Sequence, residues 1–353
     1  MSDRPPRHWG RRLLFAVVVV VAVAVGAWFV FARIVAPAEP GAFYDPPSEL
    51  PAGPAGTVIR DETIDPNADG QRAWKVLYTS TDPSGAPIAV SGVIVAPDGA
   101  PPAGGWPVVA WAHGTTGIQP PCAPSVDLPK SGQVRVPELD QLVAAGNVVA
   151  ITDYPGLGTP GIHPYLVGES EGRSILDSVR AARSLLGDDV NATAVVYGHS
   201  QGGHAALWAD QIAATYAPEL TIAGVAAMAP PTELGELLDD DKAEAAGIVL
   251  LSLAITSWDS FYPDTDPATI VKPIARPFVK DIGRHCIATN NQGLVDAPAV
   301  IALQAAFLSA DPMTAAGWST RLTENSPSAM PIDVPLLVVQ GLSDTLVRPP
   351  VTT

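Results

Sequence analysis

A short β-branched and aromatic run, Thr193-Ala-Val-Val-Tyr197, stops at Gly198. His199-Ser-Gln-Gly-Gly203 follows, and then a helix-compatible stretch from His204 to Tyr216. The pattern reads as a strand, a sharp turn and a helix, with Ser200 at the apex. Such a turn holds its serine in a strained backbone conformation, so strand and helix pass closely only if small residues flank it. Gly198, Gly202 and Gly203 supply that room, and His199 and Gln201 complete the elbow. The geometry lifts the Ser200 hydroxyl clear of a sheet and aims the Gln201 amide at the place where a tetrahedral oxyanion forms. A bare G-x-S-x-G is common by chance in Gly-rich chains. Between a strand and a helix it is far more restrictive, and it makes Ser200 the candidate nucleophile.

The flanking sequence repeats the alternation. Arg72 to Thr79 and Ile88 to Val95 read as two antiparallel strands joined by the turn Asp82-Pro-Ser-Gly85. Pro107-Val-Val-Ala-Trp-Ala112 is a buried strand ending at His113-Gly-Thr-Thr-Gly117, and Asn147 to Thr152 is another, ending at Asp153-Tyr-Pro-Gly-Leu-Gly158. An amphipathic helix covers Ser170 to Leu186, with Ile175, Leu176, Val179, Ala182, Leu185 and Leu186 at i, i+3, i+4 spacing. Thr221 to Met228 is a further buried strand. Short apolar strands alternating with helices predict an α/β fold with a mostly parallel sheet covered on both faces. Ligands in such sheets gather at the carboxyl ends of the strands, where Gly114, Asp153, Ser200 and Pro230 fall.

From Pro231 to about Met330 the signals are helical (Glu233 to Asp241, Ala243 to Ser257, Ala297 to Ser309) and no central strand is apparent. Val334 to Gly341 then returns to the sheet, so the intervening segment reads as a cap over the strand ends. Its apolar stretch Ile248 to Ile255 either lines an acyl-binding site or forms the cap's own core. The expected layout is 1–12 before the apolar run, 13–32 the run itself, 33–56 a Pro-rich linker, 57–230 and 331–353 two parts of one sheet domain, and 231–330 the cap.

Acyl transfer needs a nucleophile, a base, a carboxylate orienting the base, and donors for the oxyanion. Asp344, in the loop Gly341-Leu-Ser-Asp-Thr after the last strand, is the candidate carboxylate. The oxyanion donors are expected to be the Gln201 amide and that of Thr115 or Thr116, with His113 shaping the loop. A base is harder to find. All six histidines (His8, His113, His163, His199, His204 and His285) precede Asp344, whereas this fold type orders its triad Ser, Asp, His. His163 and His285 could approach the site, but the chain stops just after the Asp344 strand, and the base is expected beyond Thr353.

Composition narrows the partners. Lys+Arg 20 against Asp+Glu 36 gives a net charge of −16, which argues against nucleic acid. The two cysteines, Cys122 and Cys286, have no metal-ligand spacing, and no metal or cofactor is expected. Arg4, Arg7, Arg11 and Arg12 precede an unbroken apolar run of 20 residues, Leu13 to Ala32, about the length that spans a bilayer. The arginines predict an inside N-terminus with the remainder exported. An uncleaved membrane anchor and a cleaved signal peptide both remain open.

Several segments, taken together and in this order, resemble the secretory lipase family of α/β-hydrolases. They are Pro107-Val-Val-Ala-Trp-Ala-His-Gly-Thr-Thr-Gly117, Cys122-Ala-Pro-Ser125, Asp153-Tyr-Pro-Gly-Leu-Gly158, Ile175-Leu-Asp-Ser-Val-Arg-Ala-Ala-Arg183, Gly198-His-Ser-Gln-Gly-Gly203 and Gly341-Leu-Ser-Asp344. The resemblance covers about residues 57–353. It implies hydrolysis of carboxylic esters, often acylglycerols, with a helical cap and no cofactor, and it places the nucleophile at Ser200 and the acid at Asp344; the substrate is expected to be a lipid or other ester and the protein a monomer. It also suggests a Cys122–Cys286 disulfide between the oxyanion-side loop and the cap, which an oxidising location favours. Two features depart from the family pattern: its terminal histidine has no counterpart here, and an N-terminal anchor is not typical of the fungal members.

Overall fold

The computed structural model describes residue 15 and residues 38–352, apart from 242–243, 288–291 and 328–331. Eight strands form one sheet in the order β1-β2-β3-β5-β4-β6-β7-β8. An antiparallel meander opens it: β1 (Val58–Ile64), β2 (Gln71–Thr81) and β3 (Pro87–Pro97). The β2–β3 turn is closed by the Asp82 carboxylate, whose Oδ1 accepts from the Ala86 amide at 2.9 Å and the Ser84 hydroxyl at 2.6 Å. Strand β1 escaped the sequence reading because Arg60, Asp61 and Glu62 break its apolar alternation on a sheet edge.

The remaining strands are β4 (Trp106–Ala112), β5 (Val148–Thr152), β6 (Val190–His199), β7 (Thr221–Met228) and β8 (Leu336–Val339). From β5 to β8 every neighbouring pair is parallel. Strands β4 and β5 are Val- and Ala-rich and buried almost throughout, as parallel strands covered on both faces must be. Helices α1 (Pro124–Ser131) and α2 (Leu139–Ala144) connect β4 to β5, α3 (Gly168–Leu186) leads towards β6, and α4 (Gln201–Tyr216) connects β6 to β7. Strand β4 lies between β5 and β6, so its two crossovers run in opposite directions. That reversal opens a crevice at the carboxyl ends of β4 and β6, where His113–Gly117 and Ser200 begin.

Between β7 and β8 the described chain is helical: α5 (Leu234–Asp241), α6 (Ala245–Phe261), α7 (Arg276–Ile282), α8 (Gln292–Ala306) and α9 (Trp318–Asn325). The only pairing there among the described residues is an isolated bridge, Val271 to Leu308. Ile248, Leu251, Leu253, Ile255 and Trp258 of α6 are buried in an apolar cluster that also takes in Ile118, Tyr165 and Val167, from loops at the strand ends. Most of the 248–255 stretch is therefore core. Leu250 is the residue of it that reaches the cavity described below.

Cys122 and Cys286 form a disulfide, with Cα atoms 5.1 Å apart across 164 residues of sequence. It ties the loop after β4 to the segment after α7, and closing so long a loop contributes about 2–4 kcal/mol. Strand β8 is different in character: all four residues, Leu336 to Val339, are exposed. A short helix, α10 (Pro349–Thr352), follows it.

Among the described residues no helix is long and apolar enough to cross a membrane. The apolar run 13–32 lies outside the described residues except for Phe15, so the anchor and signal-peptide readings fall outside them too.

Candidate active site

Ser200 sits between the end of β6 and the first residue of α4 with φ 55° and ψ −120°, a sparsely populated backbone region. The close passage of strand and helix explains the glycines. A Cβ on Gly198 would lie 2.0 Å from the Gly202 carbonyl oxygen, and one on Gly202 would lie 1.9 Å from that of Ala112. The bend is pinned by the Ser200 amide, which donates to Met228 O at 2.8 Å, and by the His204 amide, which donates to Ser200 O at 3.1 Å. As the first residue of α4, Gln201 has a main-chain N–H with no carbonyl partner inside the helix.

The loop after β4 lies against this elbow: a Cβ on Gly114 would stand 3.7 Å from the Ser200 Cβ. Thr115 and Thr116 line the same crevice as Ser200. The Thr115 hydroxyl pairs with the Tyr165 hydroxyl at 2.9 Å, whereas the buried Thr116 hydroxyl has no partner among the described residues. His113 is buried, with Nδ1 2.7 Å from Gly114 O and Nε2 3.3 Å from Asp153 O. It braces the loop and does not reach Ser200.

A cavity of about 690 Å³ opens beside Ser200. Trp111, Val134, Val136, Ile151, Leu250 and Ile287 give it apolar walls, with His199 at the Ser200 end. Nearby, the buried Asp153 carboxylate accepts from Ser91 Oγ at 2.6 Å, the Ser125 amide at 3.0 Å and the Ser125 hydroxyl. Burial pushes its pKa up against those bonds. The bonds hold the start of α1 against β3 and β5, fixing one wall of the cavity.

Asp344 lies in the loop after β8. Its Oδ1 accepts from the Leu346 and Val347 amides at 2.9 and 3.1 Å, and its Oδ2 is 3.4 Å from Gln340 Nε2. Among the described residues no histidine is hydrogen-bonded to Asp344 or to the Ser200 side chain. His163 is fully buried, with Nδ1 2.9 Å from Pro155 O. His204 is fully buried between Glu171 and Asn325. His8 lies outside the described residues.

His285 pairs with Asp296, Nδ1 to Oδ1 at 2.6 Å. The hydrogen bond to Asp296 raises the His285 pKa above its ordinary value, and burial opposes the shift without cancelling it. A raised histidine pKa contributes stability that is fully present below the unfolded value, about 6.5. That contribution is lost as pH climbs through the folded value. The Tm gap between the wild type and Asp296→Asn is therefore expected to be full near pH 6 and to narrow steadily above it. Thermal melts across that range check this, and a gap that widens with pH contradicts the pairing.

Sequence reading missed one buried cluster. Glu171, on α3, carries a fully buried carboxylate bonded to the Gln201 side chain and to His204. The available signal was position: Glu171 stands one helical turn before Ile175, on the same inward face.

Residues 131–351 match the model of the family described as "Secretory lipase". "Lipase 2" of Candida albicans is 28% identical over 281 residues, covering 72% of this chain and 58% of that protein. A Mycobacterium tuberculosis protein named "probable inactive lipase" is 26% identical over 207 residues, covering 55% of this chain and 46% of its own length. This chain thus spans about half the length of those curated relatives. Among solved structures, the cell wall degrading esterase LipA from Xanthomonas oryzae aligns with a TM-score of 0.70 at 21% identity, over 85% of this chain and 86% of that one. That likeness establishes the α/β-hydrolase fold, and the family match covers well over half of the 353 residues: the chain belongs to the secretory lipase family.

Proposed function

We propose that the protein is a serine carboxylic-ester hydrolase of lipase type, cleaving acylglycerol or other lipid esters through an acyl-enzyme on Ser200. The observation that carries this reading is the strained Ser200 elbow opening onto an apolar cavity of about 690 Å³. Pockets of roughly 300–1,000 Å³ with apolar walls suit one small organic group held on a few polar contacts. Here that group is the acyl chain.

In this mechanism Ser200 Oγ attacks the ester carbonyl and passes its proton to a histidine. The carbonyl oxygen becomes an oxyanion received by the Gln201 amide and the Thr115 or Thr116 amide. The alcohol leaves with the histidine's proton, and water then releases the acid by the same steps in reverse. Asp344 orients the histidine, its carboxylate being fixed by the Leu346 and Val347 amides. We place the histidine in chain following Thr353. The helical segment 231–330 acts as a cap, contributing Leu250 and Ile287 to the cavity, and the domain works outside the cytoplasm, anchored or released.

Acyl chain length tests the substrate. With the full-length gene product, kcat/KM on p-nitrophenyl esters is expected to rise about fourfold per methylene from acetate towards octanoate, the equivalent of about 0.8 kcal/mol per buried CH₂. An optimum at acetate would reject a lipid-ester substrate. Transfer to an added alcohol in preference to water would make the protein an acyltransferase, and cleavage of a peptide panel would make it a peptidase. A second reading, a non-catalytic surface module, is favoured by the absence of a histidine bonded to Ser200 among the described residues. It requires Ser200 to be unreactive.

A further inference from the structure

Gln201 has two tasks in the proposed reaction. Its amide receives the oxyanion, and its side chain, 1% exposed, anchors the first turn of α4. That anchor is made through Nε2, which lies 2.8 Å from Glu171 Oε1 and 2.8 Å from His163 Nε2. Gln201 Oε1 is buried with no partner among the described residues. Glu171 is the hub. Its Oε1 also accepts from the Leu166 amide at 3.0 Å, and its Oε2 lies 2.9 Å from His204 Nδ1.

Hydrogen-bond complementarity assigns the partners. His204 Nε2 is 2.7 Å from Asn325 O, so both nitrogens of that ring face oxygen acceptors. His163 donates from Nδ1 to Pro155 O, leaving Nε2 to accept from Gln201. Glu171, His163 and His204 have no exposed surface. Burial alone would push the Glu171 carboxyl up. Hydrogen bonding and charge within the cluster outweigh it and hold the carboxyl well below the usual carboxylate range.

A buried charged cluster is weak as a stabilising device, since well-packed apolar side chains often do as well. What this one supplies is position. It joins the start of α4 to α3, to the loop before α3 and, through Asn325, to α9, directly beneath the nucleophile.

Resting on the ester-hydrolase reading above, we propose that Glu171 is a positioning residue: through Gln201 Nε2 it fixes the Gln201 peptide whose N–H receives the oxyanion. Oxyanion donors act over about 2.7–3.1 Å, and a misplacement of about 1 Å costs on the order of 100-fold. The arrangement matters most in the transition state, so its loss belongs in kcat rather than KM.

The test uses Glu171→Gln, Gln201→Ala and their combination in the full-length gene product, with wild type and Ser200→Ala beside them. Turnover of a p-nitrophenyl ester is normalised to the fraction of protein phosphonylated at Ser200, which removes misfolded molecules from the comparison. Each single variant is expected to lose about 10- to 100-fold in kcat with KM moved less than about threefold. The double variant is expected to be no worse than the poorer single one, because both cut one anchor. Should Glu171→Gln not fold, Gln201→Ala carries the same expectation alone.

Retention of kcat per labelled site within about twofold, or losses that multiply in the double variant, overturns the proposal. A wild type that neither labels nor hydrolyses esters defeats the ester-hydrolase reading instead. Hydrogen exchange then decides the positioning claim. Faster exchange of the peptide spanning 197–205 in the variants supports it, and unchanged exchange overturns it.

Discussion

Ser200→Ala is expected to lower ester hydrolysis by the full-length gene product by about 10⁴–10⁶-fold, with the fold intact. The size follows from the division of labour: with no nucleophile there is no acyl-enzyme, and only binding and oxyanion stabilisation remain. Stability should be nearly unchanged. The Ser200 hydroxyl makes no hydrogen bond among the described residues, and the bend is held by main-chain groups, Ser200 N to Met228 O and His204 N to Ser200 O. Alanine meets about the same backbone strain at φ 55°. Activity assays with matched thermal melts check both halves. A loss below about tenfold would move the nucleophile elsewhere.

Gly202→Ala is expected to have the largest effect on the fold. Its Cβ would stand 1.9 Å from Ala112 O, 2.5 Å from Ala112 C and 2.8 Å from His113 O. These are main-chain atoms at the end of β4, whose register with β6 runs through Ala112 and Gly198. Neither side can yield by rotating a side chain, so the helix must shift off the sheet. Effects above about 4–5 kcal/mol arise from this kind of conflict, and a drop in Tm of about 10 °C or more, or failure to fold, is expected. Gly41→Ala is the control. It has open space around its Cβ position and an ordinary φ of −84°, so its Tm should barely move. A Gly202→Ala protein as stable as that control would show that strand and helix do not pass as closely as described.

The parts of the molecule that could be read from sequence are those where one local pattern has one physical solution. Thr193 to Gly203 is such a case, because β-branched residues, a serine and closely spaced glycines meet only in a strand–turn–helix. The buried strands β4 and β5 were likewise plain from unbroken apolar runs between turn residues, and so was β7, although Thr221 and Ala223 on it are exposed and only Gly224, Val225 and Ala227 are buried. Strand β1 was not, because charged residues on an edge strand leave no period to detect. The Glu171 cluster stayed hidden for a different reason. It assembles residues 163, 166, 171, 201, 204 and 325, and nothing local in an amphipathic helix says which inward carboxylate will meet two imidazoles from other elements. Asp344 was legible as a loop carboxylate after a strand, while the exposure of β8 was not, because its apolar residues read as those of a covered strand. The two cysteines gave no pairing by spacing alone, and it is the fold that brings 122 and 286 together.

The reading as a whole rests on one chemical property, an activated hydroxyl at position 200. Incubating the full-length gene product with a fluorophosphonate and mapping the adduct by peptide mass spectrometry measures that property directly. The account predicts one phosphonyl group, on Ser200, blocked by prior incubation with a long-chain ester analogue and absent from Asp344→Asn or strongly slowed in it. A protein that stays unlabelled, or is labelled on another residue with position 200 untouched, would contradict it.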